Sequence, residues 1–136
     1  MDVDEPRHRF GTARVARLAT VRPEGAPHLV PVTFAVDGDT IYTAVDAKPK
    51  RSSRLQRLEN LRAQPRCTLL VDHYNDDWSR LWWVRADGIA RVVDAPAPSH
   101  AGLALLIDRY APYVQSPPNG PLIVVTVTRW TGWSAS

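Results

Sequence analysis

The run ARLATVRPEGAPHLVPVTFAVDGDTIYTAVD, residues 16–46, contains apolar segments separated by the turn residues RPEG (22–25) and DGD (37–39). Short alternating segments punctuated by Gly, Pro and Asp are the pattern of hairpin-linked strands. We read three: RVARLATV (14–21), APHLVPVTFAVD (26–37) and TIYTAVD (40–46). Strand side chains alternate, so His28, Val30, Val32, Phe34 and Val36 share one face and Leu29, Pro31, Thr33 and Ala35 the other. Proline donates no ladder hydrogen bond, so Pro31 predicts an edge strand, a bulge or an interrupted pairing.

The pattern extends in both directions. Glu5–Thr12 predicts a short helix. After AKPK, residues 52–63 (SSRLQRLENLRA) place Leu55, Leu58 and Leu61 on one side of a helix capped by Ser52 or Ser53 and ended by Gln64-Pro65. Residues 67–74 predict a strand, Asn75–Asp77 a turn, and residues 78–94 a long strand in which Gly88 marks a bulge or bend. A third helix over 98–111, a proline-rich loop over 112–121 and a last strand over 122–130 complete the chain. Six antiparallel strands with helices at the openings make a small, mainly β barrel.

Composition narrows the function. The 136 residues are 44% hydrophobic and 23% charged, enough to bury a core in one domain, and the twelve prolines disfavour long helices. No apolar run is long enough to span a membrane and the start, MDVDEPRHRF, lacks a signal-peptide core, so a cytoplasmic location is expected. Cys67 is the single cysteine, which excludes an internal disulfide and zinc-ribbon or CxxC chemistry. GxSxG, Walker A and GxGxxG are absent, and His8, His28 and His100 lack ligand spacing. The Asp and Asn residues of DHYNDDW (72–78) suit a hairpin turn better than a metal, and no metal is expected.

Charge is concentrated. Residues 48–66 hold seven basic side chains against one acid, Glu59, and the remainder of the chain is slightly acidic. Nucleic-acid binding through backbone charge spreads basic surface more widely, so a small polyanion is the expected partner. In KPKRSSRLQR (48–57), the free N–H groups of a helix start at Ser53 stand beside Lys50, Arg51, Arg54 and Arg57, a combination that binds phosphate. Arg54 falls within the leucine arc and Arg57 on its flank, so these two either snorkel to acids or face a ligand. Of the five tryptophans, Trp82 and Trp83 are adjacent in a strand and point to opposite faces. One of them is left to meet a partner chain, a ligand or solvent.

ARLATVRPEGAPHLVPVTFAVDGDTIYTAVD, the basic loop, LQRLENLRAQPRCTLLVD and WVRADGIARVV, in this order and spacing, resemble the pyridoxamine-phosphate-oxidase-like split β-barrel family over about residues 12–133. With KPKR before the helix, DWSRLWWVRADG after it and a terminal Trp, the chain is most similar to the actinobacterial branch that binds the deazaflavin coenzyme F420. The resemblance implies a six-stranded split barrel, a homodimer, and a cofactor in the groove between subunits. It places the phosphate-binding cation at Arg57, eight residues before Pro65, with Lys50, Arg51 and Arg54 as further cations. It puts Thr33 and Thr43 along the ring or its side chain, and Trp83 where the oxidases have a glutamine reaching across from the second subunit. That departure argues against the oxidase's own activity. The implied function is an F420-dependent oxidoreductase acting on a small electron-poor substrate, with FMN as the alternative cofactor and a carrier or sensor as the alternative role.

Overall fold

The computed structural model describes residues 4–45 and 53–136, excepting the side chains of residue 4 and residues 53–55. Twelve elements follow in order: α1 (Asp4–Thr12), β1 (Ala16–Val21), β2 (Pro27–Val32), β3 (Ala35–Asp37), β4 (Thr40–Ala44), α2 (Ser53–Ala63), β5 (Arg66–His73), a single 3-10 turn (Trp78–Arg80), β6 (Trp82–Val93), α3 (Ala101–Arg109), α4 (Ala111–Gln115) and β7 (Leu122–Ser134). The strands form one antiparallel sheet in the order β2-β1-β5-β6-β7-β4-β3.

That order dictates the shape. β2 and β3 are the two outer strands, yet only Thr33 and Phe34 separate them. Three peptide steps reach at most about 11 Å, so the sheet curls until its edges meet. The result is a barrel split along the β2/β3 seam. Seven strands replace the expected six because residues 26–37 are two strands, not one. The break has a physical cause. At the seam the Tyr110 hydroxyl accepts from the Phe34 N–H (3.1 Å) and lies 2.9 Å from the carbonyl oxygens of both Phe34 and Arg14. Thr33 Oγ1 is 2.9 Å from the Tyr113 hydroxyl. The Tyr110 hydroxyl thus does the work of a ladder partner, and Tyr113 adds a side-chain tie to Thr33. Pro31 sits on the edge strand β2, as a missing donor demands.

Alternation holds along the barrel wall. Val84, Ala86, Gly88 and Ala90 of β6 face in, whereas Trp83, Arg85 and Asp87 face out. The bulge predicted at Gly88 is present as a register shift against β7, and a Cβ there would lie 2.6 Å from the Thr126 carbonyl oxygen, a space only glycine leaves. In β7, Leu122 to Val125 are all buried because Ile123 and Val125 fill the barrel while Leu122 and Val124 meet α3. A first core of Phe10, Leu18, Phe34, Ile41, Leu69, Val84 and Ile123 fills the barrel, and a second of Leu103, Leu106, Tyr110 and Leu122 seals α3 to it. Among the described residues no helix is long and apolar enough to cross a membrane.

Candidate functional site

Where α2 and α4 approach the seam, a cavity of about 240 Å³ opens between Thr33, beyond the end of β2, Thr43 of β4, Arg57 of α2 and Tyr113 of α4. The structure thereby brings together three residues singled out from the sequence: Thr33, Thr43 and Arg57. Val32 and Val45 supply its apolar wall.

Arg57 faces inward because of the residues one turn on. Gln56 Nε2 donates to Asn60 Oδ1 (2.8 Å), and Asn60 Nδ2 donates to Thr20 Oγ1 of β1 (3.0 Å). Asn60 is wholly buried, so this chain of bonds locks the rotation of α2 and turns Arg57 toward the cavity. Arg57 is 7% exposed. A guanidinium taken out of water requires a compensating acceptor or anion. Thr43 is 1% exposed, and its hydroxyl oxygen has no hydrogen-bond partner. Most buried hydroxyls are bonded, so a lone one lining a cavity is a feature that an added ligand satisfies. Among the described residues the lining offers hydroxyls and a positive charge, and no histidine, carboxylate or thiol. These groups match the chemistry of an anion that carries hydroxyls.

His28, inward on β2 opposite Thr20, borders the same polar cluster. Burial, then the charges of Arg22 and Arg57, hold its imidazole below the ordinary value of 6.5. The sign follows. Below about pH 6.5 the unfolded chain takes up a proton that the folded chain refuses, so stability falls as pH falls toward the folded value. His28→Gln is expected to flatten this loss between pH 7 and 5; an unchanged pH profile of the melting temperature would assign the acid sensitivity elsewhere.

Lys50 and Arg51 are outside the described residues, as are the side chains of Ser53 and Arg54. Trp83 is on the outer face of β6, across from Trp133 in register and with the Arg85 guanidinium 5.6 Å from its ring centroid. Trp82 points the other way, against the barrel core, stacked on His73 at 5.9 Å. Asp77 caps the 3-10 turn by accepting from the Ser79 N–H (3.1 Å), and Asn75 accepts from the Asp77 N–H (2.8 Å), so the acidic turn is conformational. Among the described residues no three His, Cys, Asp or Glu side chains gather as a metal site requires. The pKa of the buried Cys67 thiol is pushed up to about 12 by burial and then Asp87, which disfavours the thiolate. Tyr113 and Asn60 are the site residues the sequence did not disclose. Asn60, one turn after Arg57 and beside the leucine face, was the available signal.

Comparison with known proteins extends this picture. The structure of the conserved hypothetical protein Rv2991 from Mycobacterium tuberculosis superposes with a TM-score of 0.79 at 26% identity, covering 99% of this chain and 86% of that one. An F420 reductase superposes with a TM-score of 0.64, also at 26% identity, over 86% of this chain and 88% of that one. A FAD-binding protein from Mesorhizobium loti gives 0.68 at 20% identity, over 97% and 94%, which shows the fold alone. No curated protein matches the chain. The pyridoxamine 5'-phosphate oxidase family model matches residues 4–134, and the chain belongs to that family.

Proposed function

We propose that the protein binds coenzyme F420 and acts as an oxidoreductase toward a small electron-poor substrate. The observation that carries the reading is the partnerless, buried Thr43 hydroxyl beside the buried Arg57 in one cavity. A phosphate fits that pair: Arg57 supplies the countercharge and Thr43 a donor, and Thr33 and Tyr113 offer hydroxyls to an adjoining polyol. At about 240 Å³ the cavity is smaller than the 300–1,000 Å³ typical of sites for whole drug-sized ligands, so it takes the phosphate end and leaves the ring outside. When bound, F420 in its reduced form supplies a hydride; this chain's residues bind, orient and neutralise. That division of labour agrees with a lining that, among the described residues, carries no carboxylate or histidine. The similarity to an F420 reductase supports the deazaflavin, as do the basic residues of 48–54, which exceed the charge of one phosphate.

FMN is the second reading, because the cavity itself asks only for a phosphate, which both cofactors carry. Titrating the purified protein with each cofactor by fluorescence separates them. F420 is expected to bind, more weakly as salt rises or its glutamate tail is shortened; tight FMN binding with no response to F420 would overturn the assignment. Binding without turnover would make the protein a carrier or sensor.

The reading includes a two-fold homodimer. The outer face of the sheet carries Leu29 (65% exposed), Trp133 (44%), Val21 (40%) and Leu70 (37%), together with Trp83. Apolar side chains on that scale mark an interface. Light scattering is expected to return twice the 15.2 kDa chain mass, and a monomer at micromolar concentration would remove the face from the site.

A further inference from the structure

We propose that Thr20 and Asn60, neither of which lines the cavity, are positioning residues for the bound anion: their hydrogen bond fixes how α2 is turned, and with it where the Arg57 guanidinium stands. The inference rests on the cavity being a phosphate site. Asn60 stands one turn after Arg57 and beside Leu58 and Leu61, on the face of α2 that the barrel covers, yet it is an amide with no exposure. A buried carboxamide is costly unless its polar atoms are bonded. Here Oδ1 accepts from Gln56 Nε2 (2.8 Å) and Nδ2 donates to Thr20 Oγ1 (3.0 Å). Thr20 is 2% exposed and faces inward from β1, the strand whose ladder with β2 leads on to Thr33 at the cavity wall.

Other anchors of α2 among the described residues are less exacting. Leu58 and Leu61 pack in the barrel core, and apolar burial has no direction. The ion pair of Arg62 with Asp94 is exposed, where such pairs contribute little. A hydrogen bond weakens steeply once bent, so the buried tie to Thr20 holds the helix to one rotation. Arg57, a turn earlier, is carried by that rotation to the wall it shares with Thr33 and Thr43.

The test compares wild type with Thr20→Ser, which keeps the hydroxyl, Thr20→Val, which removes it at nearly constant shape, and the double variant Thr20→Val/Asn60→Leu, in which both partners become apolar. Thr20→Val leaves a buried donor unpaired and is expected to lower the melting temperature, whereas replacing both partners restores most of it. Affinity is expected to part from stability. With F420 and FMN followed by cofactor fluorescence, Thr20→Ser should bind as wild type does, while Thr20→Val and the double variant each bind about fivefold more weakly, within the range for residues that act without touching the ligand. In the ligand-free protein the Arg57 Nε–H should give one sharp NMR signal in wild type and Thr20→Ser, and a broadened or split one in the other two. The double variant keeps the comparison decisive if Thr20→Val folds poorly. Wild-type affinity in the double variant, or an Arg57 signal unchanged in it, would overturn the positioning role and leave the phosphate site standing. Failure of wild type to bind either cofactor would instead refute the phosphate site, and the positioning proposal with it.

Discussion

Arg57→Ala is expected to weaken cofactor binding at least tenfold while leaving the barrel folded. Each hydrogen bond to a charged group contributes about 1.5–3 kcal/mol, and roughly 1.4 kcal/mol corresponds to a factor of ten. Arg57 is 7% exposed and borders the cavity, so solvent screens its field little. Its effect should appear as a faster off-rate by stopped-flow fluorescence and as a smaller rise in melting temperature on adding cofactor. Arg57→Lys keeps the charge and loses the bidentate fork, so it should fall between wild type and alanine. A lower melting temperature with unchanged affinity would assign Arg57 a structural role.

Phe34→Ala is expected to cost about 3–5 kcal/mol of stability, the range for truncating a buried phenylalanine. For a chain of this size that lowers the melting temperature by roughly 10–20 °C. The ring is fully buried at the seam, with its centroid 4.9 Å from that of Phe10 and the Arg109 guanidinium 4.9 Å above it. Arg109 in turn donates to the carbonyl oxygens of Gly11 and Ala13, so one side chain ties α1, the seam and α3 together. Losing the ring loosens all three. Calorimetry giving a drop of only a few degrees would show that the seam repacks around the void.

Much of this was legible beforehand, for reasons that differ by element. The inward set His28, Val32 and Phe34 could be read from period two because a single face is buried, and Gly88 because a residue without a Cβ inside an apolar strand has few other uses. The division of residues 26–37 was not legible: it is enforced by Tyr110 and Tyr113, and local pattern carries no record of partners so distant. Residues 112–121 read as a loop because of their prolines, yet 112–115 are helical: Pro112 occupies the first turn of α4, where its missing N–H costs nothing. β7 runs to Ser134, beyond the expected Trp130, because β6 continues alongside it and supplies the pairing. At the site, Thr33 and Thr43 came from the family resemblance alone and Arg57 from that resemblance together with its place on the flank of the leucine arc, whereas Tyr113 belonged to a segment with no periodicity to place it.

The seam has a consequence for how occupancy is measured. Thr33 both closes the split and lines the cavity, so parting the edges of β2 and β3 dismantles that cavity. A molecule seated there acts as a rivet: every opening of the barrel must first expel it. The Phe34 amide at the seam, which donates to the Tyr110 hydroxyl between α3 and α4 in place of a strand neighbour, then becomes a reporter of the bound fraction. Its hydrogen-exchange rate slows in proportion to ligand concentration over the dissociation constant. Affinity can therefore be read from the exchange of the Phe34 amide, without a chromophore and without knowing the substrate.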